Sequence, residues 1–274
     1  MPQAASRPVA RIEAAQPPQR SAATHANRMV IAPADFDAHS PFLMLAEDWF
    51  APPAGFPTHP HRGMETVTLV LEGAMEHRDH TGAHGVIGQG DVQWMTAGKG
   101  VMHSEMPGPD GVHSLQLWLN LPAEHKMTTA RYCDQPAAGA PTLAGAGWEV
   151  RVYAGRQSDV AQPHGSSYPM SLCTARLEAG ASCVLQIPRD ERGFLYLAQG
   201  RAEVAGQAVA AGQTAWIDPG ESDRVTVRAL EPTFAVLCSG RPIGEPVAAY
   251  GPFVMNTMDE IHQAFDDYRQ GRFV

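Results

Sequence analysis

The sequence predicts an all-β protein made of two similar β-barrels in tandem, followed by a short C-terminal helix. Three observations favour this fold class: short apolar runs separated by turn residues, a weak internal repeat, and helical periodicity confined to the tail. The 274 residues include 26 glycines and 23 prolines, and 44% of them are hydrophobic. A chain of this length and composition can bury the cores of two modest barrels.

The predicted strands are apolar runs of four to eight residues, rich in β-branched and aromatic side chains. Residues 114–119 (Ser-Leu-Gln-Leu-Trp-Leu) form the clearest buried strand of the first half. The other predicted strands cover residues 66–71, 74–79, 92–95 and 101–106, then 149–154, 170–177, 183–188, 193–197, 214–217, 224–228 and 234–238.

Two segments of the first half recur in outline in the second. Residues 65–73 resemble 193–200, each a strand that ends in a glycine turn, and residues 88–95 resemble 211–218, each a glycine turn before a tryptophan-containing strand. Such a repeat indicates an internal duplication of one barrel.

The predicted domain boundaries follow from this repeat and from composition. We expect a flexible leader at 1–28, a metal-binding N-terminal barrel at 29–135, a linker at 136–147 and a C-terminal barrel without metal ligands at 148–274. Within the last of these, Met258, Ile261, Phe265 and Tyr268 recur at helical spacing, which predicts an amphipathic helix over 257–270.

The charge and cysteine pattern excludes several classes of function. The net charge is −9 and no run of Lys and Arg occurs, so we expect no direct nucleic-acid binding. Four dispersed cysteines without a CxxC pair argue against a zinc ribbon or a disulfide-stapled secreted fold. Residues 1–28 lack the apolar core of a signal peptide or membrane span. We therefore predict a cytoplasmic protein without membrane association. We also expect it to be a monomer.

Two pairs of potential metal ligands stand out. His59 and His61 flank a proline, and His103 and Glu105 flank a serine. Residues two apart in an extended chain point to the same side, so neighbouring strands would direct three imidazoles and a carboxylate to one centre. A single His-X-His pair occurs by chance, but two such pairs are harder to dismiss. The second half has no equivalent histidines, which predicts one ion per chain.

The segments that carry these residues resemble the signature stretches of the pirin family. They are 55–65 (Gly-Phe-Pro-Thr-His-Pro-His-Arg-Gly-Met-Glu) and 90–105, and the segments 117–122 and 251–257 are also similar to that family. The resemblance implies a bicupin, two cupin jelly-roll barrels in tandem, with a divalent metal in the first barrel. It assigns the ligands as His59, His61, His103 and Glu105, and implies Fe(II), with Ni, Cu, Mn or Zn as alternatives. The older cupin pattern would instead place the carboxylate at Glu65, which has the same strand parity.

The same resemblance implies two alternative functions. The first is quercetin 2,3-dioxygenase-type oxygenation of a flavonol or related enol or catechol, with Glu105 as the general base for the 3-hydroxyl group. The second is a non-catalytic, iron-dependent, redox-sensing regulator that binds partner proteins.

Three further histidines, His77, His80 and His84, fall in a polar hairpin, and we predict that they face solvent or the rim of a pocket.

Overall fold

The computed structural model describes residues 6–163 and 165–274, and within them it is rich in β-strands, with three short α-helices. The first elements are β1 (Arg11–Ala14), β2 (Gln19–Ala22), β3 (His25–Ile31), α1 (Phe36–His39), β4 (Phe42–Phe50), β5 (Phe56–His61), β6 (Met64–Asp79), β7 (His84–Gly88), β8 (Val92–Thr96), β9 (Val101–Asn120), α2 (Ala123–Lys126) and β10 (Arg131–Gln135). After a 3₁₀ turn at Ala137–Gly139 come β11 (Thr142–Gly145), β12 (Trp148–Gln157), β13 (Val160–Gln162), β14 (Met170–Leu177), β15 (Ser182–Gln186), β16 (Arg192–Gln199), β17 (Arg201–Val204), β18 (Gln207–Ala210), β19 (Gln213–Ile217), β20 (Arg224–Ala229) and β21 (Thr233–Gly240). The tail contains β22 (Ala248–Tyr250), β23 (Phe253–Met255) and α3 (Met258–Arg269). The predicted all-β class is confirmed.

The chain divides into two compact units. The first, which we call the site unit, comprises residues 16–137, 165–168 and 243–274; the second, the companion unit, comprises the described parts of 1–15, 138–164 and 169–242.

The site unit is organised around two long antiparallel strands. Its sheet has the order β10-β8-β6-β9-β4-β3-β2, with β5 added to β9 and β7 added to β6. The strands β6 and β9 pair from Met64 opposite Asn120 to Asp79 opposite His103, with register shifts along the way. Apolar side chains packed in this unit include Val70 and Val101, both fully buried.

The companion unit has two sheets that share one core. Its larger sheet has the order β1-β19-β16-β21-β14-β12-β11, with β13 on β12, and the smaller has the order β15-β20-β17-β18. Buried side chains from both sheets, among them Leu195, Leu237 and Val227, form the apolar cluster of this unit.

The structure corrects the predicted leader at 1–28, of which residues 1–5 lie outside the described part. Residues 11–14 form an edge strand whose Arg11 lies opposite Trp216. Val9 is buried, and the Arg7 guanidinium donates hydrogen bonds to the carbonyls of several residues of the companion unit, including Pro188 and Asp218. These backbone and side-chain partners hold a segment that composition alone suggested would be loose.

The C-terminal boundary also differs from the prediction. Residues 243–274, including the helix, belong to the site unit and not to the C-terminal barrel. The reason is packing against the first half of the chain. Val254 of β23 shares an apolar cluster with Met64 and Val101, and Met102 packs against the cluster that contains Phe253 and Ile261 of α3. The predicted linker at 136–147 contains one of the five points at which the chain passes from one unit to the other, and it also contributes β11, which pairs with β12.

The predicted helix at 257–270 is confirmed, with Thr257 as its N-cap in a capping box with Glu260. Thr257→Ala is expected to lower the free energy of unfolding by about 1 kcal/mol, because the side chain that accepts from the Glu260 N–H is lost. Thermal unfolding should shift down by about 2–4 °C. Thr257→Ser keeps the acceptor and should retain wild-type stability; equal losses in both variants would contradict a capping role.

No helix in the described residues is long and apolar enough to cross a membrane.

Candidate metal centre

The candidate centre lies where β9 runs between β5 and β6. On one side of β9, His59 pairs with His103. On the other side, His77 pairs with Glu105. Directly opposed residues of antiparallel strands project from the same face of the sheet, and so do residues two apart on one strand. The local β structure therefore gathers these side chains on one face.

The three predicted histidine ligands converge. The ring centroids of His59 and His103 are 4.3 Å apart, those of His59 and His61 4.8 Å, and those of His61 and His103 5.0 Å. One nitrogen from each ring can be chosen so that all three lie within 4.8 Å of one another. His61 and His103 are fully buried, whereas His59 is only half-buried, so it is the ring of the three that solvent reaches.

The hydrogen bonds of these rings leave lone pairs available. The Nδ1 of His59 lies 2.9 Å from the Pro57 carbonyl, which only accepts, so Nδ1 carries the proton and Nε2 does not. The Nε2 of His103 is buried without a hydrogen-bond partner among the described residues, and the ring of His61 has only a backbone contact with Pro252 that falls short of good hydrogen-bond geometry. Buried ring nitrogens without partners are costly in a native core. A divalent ion would satisfy them, so the residues fit a metal.

Burial also keeps the rings in the metal-binding form. Loss of solvation lowers the pKa of His59, lowers that of His61 to about 3, and lowers the pKa of His103 below its usual range. Repulsion between the neighbouring rings acts in the same direction on His61 and His103. The imidazoles are therefore neutral at physiological pH, which is the state that binds metals.

Glu105 lies deep beside the histidines and is held by an ordered amide. The Gln116 Nε2 donates to both carboxylate oxygens, at 2.9 and 3.0 Å. The indole N–H of Trp118 donates to Gln116 Oε1 at 3.2 Å, which fixes the orientation of the amide. Burial raises the pKa of Glu105 to about 7, against the opposing effect of the Gln116 hydrogen bond. A carboxyl group with that pKa can both accept and release a proton near neutrality.

The four predicted ligands do not form a single group at this spacing. Among the described residues, His59, His61 and His103 form one candidate group, and Glu105 forms a second with His77 and His103. His103 is common to both. We call them the first triad (His59, His61, His103) and the second triad (His77, His103, Glu105).

Glu65, the alternative carboxylate, is engaged elsewhere. Its Oε1 accepts from the Thr96 hydroxyl at 2.6 Å and from the Ser167 N–H at 2.7 Å, and its Oε2 accepts from the Ser166 hydroxyl. It is fully buried and belongs to neither triad. Glu65 thus anchors the segment 165–168.

The structure corrects the prediction for His77. Its side chain is 3% exposed and lies beside His103, with ring centroids 5.0 Å apart, while His80 and His84 are exposed as predicted. Strand parity offered a signal, because His77 is two residues from the buried Met75. The polar composition of the hairpin instead favoured an exposed side chain.

The loop that follows His61 is fixed by the tail of the site unit. Gly63 has φ +78°, and a Cβ there would lie 2.0 Å from the Val254 carbonyl oxygen, so only glycine fits. The buried Lys126 Nζ donates to the carbonyls of Gly63 and Val254, at 2.9 and 3.1 Å. The Arg62 guanidinium forms an ion pair with Asp267 at 2.8 Å, so this arginine links the loop to α3. Sequence reasoning missed the role of Lys126.

Comparison with known proteins identifies the family of the chain. Residues 19–119 match the family described as Pirin, and residues 172–274 match the Pirin C-terminal cupin domain. A pirin-like protein of Caulobacter vibrioides is 40% identical over 279 residues, covering 97% of this chain and 99% of that protein. The crystal structure of quercetin 2,3-dioxygenase from Acinetobacter baumannii aligns with a TM-score of 0.91 at 30% identity, covering 98% of this chain and 99% of that one.

These matches cover both predicted barrels. The two halves of the chain are therefore a tandem pair of cupin domains, with the histidine cluster in the first of them. The chain belongs to the pirin family.

Proposed function

We propose that this protein is a metal-dependent oxygenase of the quercetin 2,3-dioxygenase type, acting on a flavonol or a related enol or catechol. The observation that carries the proposal is the convergence of three histidines, which burial keeps neutral, next to the buried carboxylate of Glu105, whose two oxygens both accept from the Gln116 amide. The structural relative from Acinetobacter baumannii, which bears the name of this activity, supports the choice of reaction.

We assign the ion to His59, His61, His103 and Glu105, and we propose iron(II), although imidazole and carboxylate ligands also accept Ni, Cu, Mn and Zn. When bound, such an ion polarises a coordinated hydroxyl group and favours its ionisation. The half-buried His59 marks the side of the cluster from which a substrate can approach.

Glu105 is the proposed base. Its carboxylate accepts the proton of the substrate's 3-hydroxyl group and retains it in a site from which water is largely excluded, since Glu105 is 2% exposed. The Gln116 amide, held by Trp118, keeps the carboxylate oriented throughout. General base catalysis of this kind contributes about 10²- to 10⁴-fold to a rate.

The test is turnover of quercetin by protein loaded separately with iron, nickel, copper or manganese, under air. Loss of the visible absorbance of quercetin should coincide with release of carbon monoxide. Glu105→Gln is expected to lower turnover at least about 100-fold while metal analysis still finds the ion. The control is Glu124→Gln, because Glu124 is an exposed carboxylate of the same unit.

Two results would count against this proposal. Wild-type turnover in metal-loaded Glu105→Gln would remove Glu105 as the base. Failure of all four metal forms to consume quercetin would contradict the oxygenase assignment and favour the alternative, a non-catalytic iron-dependent regulator that binds partner proteins.

A further inference from the structure

His77 is a buried histidine without a good hydrogen bond. Its Nε2 has no partner among the described residues, and its Nδ1 lies 3.5 Å from the Nδ1 of His103. Hydrogen bonds from N–H groups are normally 2.7–3.2 Å long. A buried polar group left in this state requires an explanation, since its desolvation is otherwise uncompensated.

The separation of the two Nδ1 atoms fits a shared ion better than a hydrogen bond. Imidazole nitrogens bind Zn²⁺ at about 2.0–2.1 Å, so two of them on one tetrahedral ion lie about 3.4 Å apart. The observed 3.5 Å between His77 and His103 is close to that value.

Glu105 supplies a third ligand in the correct place. It lies directly opposite His77 across the β6–β9 pair and two residues from His103 on the same strand face. One ligand atom from each of the three residues can be chosen so that all lie within 4.8 Å of one another, and all three side chains are buried. Two imidazoles and a carboxylate form a ligand set that zinc and other first-row divalent metals accept.

We propose that the second triad, His77, His103 and Glu105, is a second divalent-metal position next to the first triad. The two positions share His103, whose ring lies between those of His59 and His77, with centroid distances of 4.3 and 5.0 Å. Two cations close to each other repel, and Glu105 serves both positions. The shared His103 ring must also release its one N–H proton to solvent in order to bind one ion through each nitrogen. The second ion is therefore bound more weakly than the first.

This position is additional to the single ion that the proposed oxygenase requires, so metal binding alone tests it. Chelator-treated protein is titrated with Zn²⁺, and the number of bound ions is determined by calorimetry and by metal analysis. Wild-type protein should show two classes of site, the second at least about tenfold weaker. His77→Leu should lose the weaker class and keep the stronger one.

The matched control is His84→Leu, because His84 is an exposed histidine of the same hairpin. It should retain both classes. A second variant, His59→Ala, alters only the first triad and should leave one class of site, that of the second triad. It tests the proposal independently if His77→Leu does not fold. Circular dichroism establishes that each variant is folded.

A single class of site in the wild-type protein would overturn the proposal. So would two classes that persist in folded His77→Leu. A single class whose affinity falls in His77→Leu would show that His77 acts only by orienting His103, which also overturns it. None of these results depends on quercetin turnover, so the oxygenase proposal stands or falls separately.

Discussion

Replacing Lys126 by methionine is expected to lower the free energy of unfolding by about 3–5 kcal/mol. Lys126 is 1% exposed, and its Nζ donates to the Asn120 side chain at 2.7 Å as well as to the carbonyls of Gly63 and Val254. Methionine fills the same space but offers no donor, so three buried acceptors lose a partner at once. Leaving a buried acceptor unpaired costs more than an average hydrogen bond contributes.

Chemical denaturation of wild-type and Lys126→Met protein measures this loss. The control is Lys99→Met, because Lys99 is exposed and should be neutral to within about 0.5 kcal/mol. A loss below 1 kcal/mol in Lys126→Met would indicate that water or a shifted main chain replaces the ammonium group.

The second large effect is a pH dependence that resides in Glu105. Burial raises the pKa of this carboxyl group from 4.5 to about 7 in the folded, metal-free protein. Between these two values the folded state binds more protons than the unfolded state, so the contribution of Glu105 to stability is fully present below pH 4.5. It is lost as the pH rises through 7. A shift of this size corresponds to about 3 kcal/mol.

The measurement compares wild-type protein with Glu105→Gln, both treated with chelator, by denaturation at pH 4.5, 5.5, 6.5 and 7.5. The buried histidines contribute with the opposite sign, because their pKa values are lowered, but they are present in both proteins. The difference between the two proteins therefore isolates Glu105. We expect the wild type to lose about 3 kcal/mol relative to the variant across this range. A constant difference would show that the carboxyl group titrates near its usual value.

The features of the fold that the sequence predicted are those set by local periodicity. Residues 114–119 lie within β9, and the predicted helix at 257–270 is bounded by its own capping residues. Alternation along a strand and spacing along a helix are visible in a single sequence. What an element packs against is not. The short strand β1 was missed because its partner β19 lies about 200 residues away, and the helix was assigned to the wrong unit for the same reason.

In the candidate site, too, the sequence predicted what depends on local pattern and missed what depends on distant partners. Strand parity placed His59 with His61 and His103 with Glu105, and the structure brings the three histidines together. Parity could not separate Glu65 from Glu105, because that choice depends on Thr96 and on the segment 165–168. His77 escaped notice because its hairpin is polar in composition, although its strand position directs it inward.

Because residues 243–274 belong to the site unit, the parts of that unit are synthesised at well-separated times. Ribosomes add about 5–20 residues per second, so roughly 5–20 s separate the emergence of residue 137 from that of residue 243. Throughout that interval Lys126 lacks the Val254 carbonyl and Arg62 lacks Asp267. The loop behind His61 thus acquires these two supports only after residues 254 and 267 have been synthesised, and a chain stopped after the first barrel would contain the histidines without them.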